Sequence, residues 1–423
     1  MIPIPRGFSN ILKNRNFLKL WISQIFSMSA CNMLTFLLAI RIYQLTENNF
    51  IVSIYVALVS IPPIIFSVIA GAFADNHNRK KILTLSNLLR VLLLISFLFL
   101  SKNPFALMVL AFLVSTVSQF FGPAESATIP NLVKKEQLFL ANSLFMFTTY
   151  AAFLIGYSLA GPLLFYLNDR VIFFLLLVMY SVAMVANILL PSQKHHLEIK
   201  KKTIQYSNAL KKLFYDILGG WRAIKNNKII LYSILQMTFI LAVERGVIAL
   251  LPDLAKKYFQ YNTDEISYYL LIPVGLGALT GAILVNKVKK YFAKRKIINW
   301  SLIIDGLVLL AIPFYYVVIP WGGPWLKLAT SAFAFASGMA DVFIIVTAQT
   351  LIHESSLNEE RGRIFGNLMA FMNIISVPLI LLLGFLGSFY NPTVIIGVLG
   401  VIVTSFGIMC RFFYKRSLRL VKT

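Results

Sequence analysis

Acidic side chains are scarce in this chain, with 16 Asp and Glu against 39 Lys and Arg in 423 residues, a formal net charge of +23. Charged residues of both signs make up only 13% of it, about half of what a soluble globular chain carries. With 58% hydrophobic residues, 35 Phe and 18 Tyr, so few charges cannot cover a water-soluble globule of this size. The same richness in aromatics excludes disorder. Cysteine is almost absent, and Cys31 and Cys410, both in apolar stretches, exclude a disulfide scaffold. Also missing are a Gly-x-x-x-x-Gly-Lys-Ser/Thr nucleotide loop, a His-Glu-x-x-His motif and a Gly-x-Ser-x-Gly elbow. Their absence argues against ATP-driven pumping, zinc proteolysis and serine hydrolysis. His195-His196 has no further ligands nearby, so no metal and no cofactor is expected.

Long apolar runs are what the chain does have. They fall at about 18–40, 51–74, 82–101, 105–124, 142–167, 171–191, 228–251, 266–286, 297–319, 326–352, 364–388 and 392–413. Each reaches the ~20 residues that an α-helix needs to cross the hydrocarbon core. Twelve crossings put both termini on one side. That side collects 31 of the 39 basic residues, while Lys102, Arg170, Lys256, Lys257 and Lys327 fall on the other, and Arg41, Arg90 and Arg245 lie inside apolar runs. The positive-inside rule therefore places both termini in the cytoplasm, and the charge needs no nucleic-acid partner. Arg6, Lys13 and Arg15 precede a first run longer than a signal h-region, with no small-x-small site at its end, so it reads as a retained helix.

Three regions follow: a six-helix lobe at 1–191, a cytoplasmic linker at 192–227, and a second six-helix lobe at 228–423. In the linker, Leu210, Leu213, Phe214, Ile217, Leu218, Trp221 and Ile224 share one helical face beside Lys211, Lys212, Arg222 and Lys225. Such a helix lies along the cytoplasmic leaflet or packs under the bundle. The lobes look like weak repeats. Gly71-Ala72-Phe73 is echoed by Gly281-Ala282-Ile283, Arg79-Lys80-Lys81 by Lys289-Lys290, and Asn142-Ser143-Leu144 by Gly366-Asn367-Leu368.

The sharpest motif is Gly71-Ala72-Phe73-Ala74-Asp75-Asn76-His77-Asn78-Arg79-Lys80-Lys81, between the second and third apolar runs. Here the chain resembles the major facilitator superfamily, whose signature in this loop runs Gly-x-x-x-Asp-x-x-Gly-Arg-Arg/Lys. Asn78 replaces the family's glycine, and Asn is expected to tolerate the left-handed turn. The resemblance implies twelve helices in two pseudo-symmetric lobes, with the site between them and a conformational latch in this loop. In that latch Gly71 would allow close helix approach. Asp75 would face Arg363 at the start of the eleventh helix, and Arg79, beside Lys80, would pair with Glu125. Asn14-Arg15-Asn16-Phe17, Tyr43-Gln44-Leu45-Thr46, Ser86-Asn87-Leu88-Leu89-Arg90 and Glu360-Arg361-Gly362-Arg363-Ile364-Phe365-Gly366 are similar to the bacterial macrolide efflux and enterobactin exporter branch. Gly156 with Gly161-Pro162 resembles the antiporter-associated signature of the fifth helix, although its final glycine pair is absent.

The implied function is export of hydrophobic or amphiphilic small molecules by proton antiport and alternating access. A lysophospholipid carrier is the alternative and an integral membrane enzyme a remote one. The implied partners are a small-molecule substrate, protons and membrane lipids, for a monomer in the bacterial cell membrane. Family helices 1, 4, 7 and 10 line the cavity. Intramembrane carboxylates default to function, so Asp341 and Glu244 become the proton-coupling candidates, with Arg245 beside them. For Glu244 the competing expectation is a static ion pair with Arg245 or Arg41, and for Asp341 a helix–helix hydrogen bond. Asn32, Phe36, Gln119, Phe120, Gln236 and Phe239 are the remaining cavity candidates, although the same aromatics could face lipid. Arg90 and Asp305, on the third and ninth runs, read as structural groups near the cytoplasmic interface.

Overall fold

The computed structural model describes residues 11–191, 224–225, 227–259, 261–318, 324–356 and 361–420. The amphipathic stretch expected at 210–222 lies outside the described residues. Among them, twelve helices are long and apolar enough to cross a membrane. In chain order these are α1 (Arg15–Thr46), α2 (Asn49–Asn76), α3 (Arg79–Leu100), α4 (Pro104–Leu132), α5 (Leu138–Tyr166), α6 (Asp169–Ile188), α7 (Lys228–Asp253), α8 (Ile272–Tyr291), α9 (Lys294–Val318), α10 (Pro324–Ser355), α11 (Arg361–Phe389) and α12 (Pro392–Leu420). The chain is an all-α, multi-pass membrane protein of twelve spanning helices.

Asparagine starts helix after helix, because its short side chain can accept from the orphan N–H groups of a first turn. Asn103 accepts from Ala106 N at 3.2 Å and Asn168 from Val171 N at 3.0 Å. Asn78 caps α3 with φ −66° and accepts from Lys81 N at 3.2 Å. The position where a left-handed turn was expected is therefore extended, and asparagine serves there through its side chain rather than its backbone.

Two caps repeat one device in the two halves. Asn14 accepts from Asn16 N and Phe17 N at the start of α1, and its Nδ2 donates to Leu132 O at the end of α4, 2.7 Å away. Asn227 accepts from Ile229 N and Ile230 N at the start of α7, and its Nδ2 donates to Ser355 O at the end of α10, 3.1 Å away. The pseudo-repeat is thus visible as a shared tie between first and fourth helices, even though the two sequences barely match.

The chain divides into two compact units, one of residues 1–38 and 58–214, the other of 39–57 and 215–423. One division point falls within 192–227, and in addition the end of α1 and the start of α2 cluster with the C-terminal half. In the first unit Phe17, Leu20, Phe121 and Phe145 form the core between α1, α4 and α5, and Phe97 stacks on Phe173 at 5.4 Å between α3 and α6. In the second unit glycines set the helix spacing. A methyl on Gly281 of α8 would meet Met339 O of α10 at 3.0 Å, and Gly277 and Gly338 face backbone of the partner helix in the same way. Small residues at four-residue spacing allow such close approach in lipid. Residues 39–57 are held by Asp253 at the end of α7, which accepts from Tyr43 Oη and from Asn49 Nδ2 (2.8 Å), while Asn49 Nδ2 also donates to Gly387 O of α11. At the surface Lys256 pairs with Glu47, whose φ of 48° ends α1 in a left-handed turn.

Candidate functional site

The second unit holds a group of intramembrane charges on α7, α9 and α10. Glu244 and Arg245 on α7 follow one another and so point about 100° apart. Arg245 turns to α11, where its Nη1 donates to Asn373 Oδ1 at 2.6 Å. Glu244 is within electrostatic reach of Arg245 and of Asp305 on α9, and Asp341 on α10 is within reach of both Asp305 and Glu244. Asp305 is 2% exposed and accepts from Ser337 Oγ of α10 at 2.6 Å. Three carboxyls from three helices therefore lie within electrostatic reach of one another, with Arg245 in reach of Glu244. Asp305 belongs to this cluster instead of standing apart near an interface. Counting from the helix ends could have found it, since Asp305 lies 11 residues into α9, Asp341 14 residues before the end of α10 and Glu244 16 residues into α7. At about 1.5 Å per residue these depths run from roughly 17 to 24 Å, all well inside a span of ~30 Å.

Two expected cavity residues turn elsewhere. Gln236 is buried, and its Nε2 donates to Asn299 Oδ1 of α9 at 2.9 Å, with the Cys410 thiol of α12 beside it. Phe239, one turn on, packs against Phe406 of α12 with ring centroids 4.6 Å apart. This face of α7 meets the peripheral helices, where an otherwise orphaned amide finds a partner. In the first unit, Phe36 is buried against Tyr157 of α5, and Gln119 donates to Ser115 O on its own helix. Phe120 packs against Phe66 and Phe73 of α2. Asn32 lies where α5 crosses α1, since a methyl on Gly156 would come within 2.7 Å of Asn32 Cβ and 2.8 Å of Met33 N. Gly156 therefore permits a backbone approach. Gly161 is buried and Pro162 half-buried in the same helix, and a proline there removes one helical hydrogen bond.

The expected latch residues are placed differently from one another. Asp75 is exposed and, among the described residues, engages no partner. Among the described residues, a methyl on Gly71 would meet nothing within 4 Å. Among the described residues no ion pair joins Arg79 to Glu125. Arg79 Nη1 instead donates to Ala127 O of α4 at 2.7 Å, and the cation that Glu125 feels is Arg90. Lys80 Nζ donates to Leu190 O just past α6, at 2.6 Å. The Lys80 contact closes a carbonyl left open past a helix C-terminus. Arg363 lies in α11, and its side chain is outside the described residues.

Residues 20–366 match the family described as the Major Facilitator Superfamily. The chain belongs to the Major Facilitator Superfamily. Among curated relatives it is similar to the bacilysin exporter BacE of Bacillus subtilis, 25% identical over 363 residues that span 81% of this chain and 84% of that one. It is also similar to the multidrug resistance protein MdtG of Salmonella typhi, 24% identical over 368 residues, 85% of each chain. Solved structures with the same fold include the nucleoside transporter NupG, with a TM-score of 0.68 at 13% identity, covering 95% of this chain and 98% of that one. A bacterial homologue of the iron transporter ferroportin, in its inward-facing state, aligns with the same TM-score of 0.68 at 13% identity, again covering 95% and 98%. These two establish fold alone. As a superfamily member the chain is a transporter of small molecules, not an enzyme.

Proposed function

We propose that this transporter exports hydrophobic or amphiphilic organic molecules from the cytoplasm, by alternating access driven by proton entry. Both termini lie in the cytoplasm of a bacterial cell. Similarity to proteins named for bacilysin export and multidrug resistance supports the outward direction and the substrate class. The observation that carries the coupling is the buried group of Glu244, Asp305 and Asp341, with the Arg245 charge in reach of Glu244. Three carboxyls and one guanidinium in lipid hold surplus negative charge unless a proton joins them, so a proton or a cationic substrate group can exchange there. Membrane potential contributes about 2.3 kcal/mol per charge per 100 mV and each pH unit about 1.4 kcal/mol. One proton thus sustains a concentration ratio of tens- to hundreds-fold.

The test uses proteoliposomes loaded with a fluorescent hydrophobic cation and an imposed pH gradient. At least one of Glu244→Gln and Asp341→Asn should abolish gradient-driven transport while counterflow exchange continues. Full gradient-driven transport in both variants would remove proton coupling from this cluster.

A further inference from the structure

The first unit buries a stripe of polar side chains that the proposed coupling leaves unused. On α1 the stripe runs through Ser23, Ser27 and Cys31, at successive intervals of four. On α3 it runs through Thr84, Asn87 and Arg90, at intervals of three, and on α6 through Tyr180 and Asn187, seven apart. These spacings each keep to one helix face. The stripes meet one another. Arg90 Nη1 donates to Ser27 Oγ at 2.6 Å and to Asn87 Oδ1 at 2.9 Å. The same guanidinium lies 4.7 Å from the ring centre of Phe121 on α4 and 5.4 Å from that of Tyr180. Glu125, one turn from Phe121, has Arg90 as its electrostatic partner, and the Tyr180 hydroxyl neighbours the Cys31 thiol.

Most of this is deeply buried: Ser23, Asn87, Tyr180 and Asn187 are 0% exposed, Arg90 2% and Glu125 4%, while Cys31 and Thr84 are half-buried. Yet, among the described residues, Ser23 Oγ, Thr84 Oγ1, Asn87 Nδ2, Arg90 Nε, Glu125 Oε1 and both polar atoms of Asn187 find no hydrogen-bond partner. Each such atom costs about 1–3 kcal/mol even by protein mutational measures, so together they would rival the stability of a whole domain. Partners must reach them. The orphans include both donors and acceptors, which suits water, able to do both, and not a lone cation or anion. The stripe also has an open direction. Lys19 Nζ donates to Leu189 O at 2.8 Å and Lys80 Nζ to Leu190 O, so the start of α1, the start of α3 and the end of α6 share one aqueous end. Ser23, Thr84 and Asn187 lie nearest that end, Ser27, Asn87 and Arg90 deeper.

We propose that a file of exchangeable water molecules fills this stripe from the Lys19–Lys80 end to Arg90 and Glu125, giving Glu125 proton exchange with the solution on that side. The charged group in reach of Glu125 there is Arg90 on α3, which also neighbours Tyr180, while Arg79 at the start of α3 is taken up by the Ala127 carbonyl. The inference stands apart from the carboxyl cluster of the other unit and holds or fails without it.

Radiolytic hydroxyl-radical labelling of the full chain in proteoliposomes, with bulk water exchanged to the 18O form just before exposure, tests it. Tyr180 should take up 18O at least about tenfold faster than the equally buried Tyr55, as expected where exchanging internal water touches the ring. Asn187→Leu should bring Tyr180 down to the Tyr55 rate, while Asn187→Ser, which keeps a polar partner, should preserve fast labelling. Slow labelling of Tyr180 in the parent chain, or unchanged labelling in folded Asn187→Leu, would overturn the proposal.

Discussion

At the residue scale, the positions that matter are those where a polar group meets partners from other helices. Asp305 illustrates this: alone on α9 it looks structural, but with Glu244 and Asp341 in reach it sets how much charge the cluster holds. Asp305→Asn keeps the Ser337 contact and removes one negative charge. It should change gradient-driven flux about tenfold, the effect of ~1.4 kcal/mol, while counterflow stays near the parent rate. Outside the membrane-spanning segments, Glu265 is a simpler case. Burial would raise its pKa, but the Lys327 hydrogen bond, the Asn262 N–H (3.0 Å) and the Lys327 charge outweigh it and hold the carboxyl low. A carboxyl held low in the folded state adds stability that is present above the ordinary carboxylate range and lost as pH falls through the lowered value. Thermal unfolding in detergent should therefore separate the parent from Lys327→Gln most at neutral pH. The gap should shrink as pH falls below about 4, leaving the pH-independent contact of Lys327 with the Tyr269 ring.

Helices are held here by caps and by glycine. Asn14 and Asn227 each satisfy the first turn of one helix and the last carbonyls of another. Replacing either by alanine removes both and should cost about 1–2 kcal/mol, read as a lowered unfolding midpoint in detergent. At the α8–α10 crossing a side chain has nowhere to go, because the atoms facing Gly277, Gly281 and Gly338 are backbone. Gly281→Val should therefore destabilise by about 1–3 kcal/mol, the usual range for overpacking. Gly71→Ala should be silent in the same assay, since open space surrounds it. Equal losses from both substitutions would contradict this account of the packing.

For the whole molecule, the charge asymmetry predicts orientation. In a cysteine-free background, Lys102→Cys, between α3 and α4, should react with an impermeant thiol reagent added outside intact cells. Lys134→Cys, between α4 and α5, should react only after the membrane is opened; both positions are exposed. The reverse pattern would invert the topology and with it the side from which the α1–α3–α6 stripe is hydrated.

The amino-acid sequence by itself determined the membrane class, the twelve helices, their approximate ends and the family. These depend on local properties: run length, hydropathy, a short loop motif and where the basic residues fall. It also brought Asp341 and Glu244 forward, because any carboxylate in an apolar run is conspicuous. What it left open was which way each helix faces. A helix that is apolar all round has no marked face, so periodicity could not tell that Gln236 and Phe239 meet α9 and α12, or that Asp305 joins Asp341. Nor could it show residues 39–57 joining the C-terminal unit through Asp253, or Arg79 holding the Ala127 carbonyl. Helix rotation and pairing are settled by contacts between residues far apart in the chain, and only the tertiary structure contains those contacts.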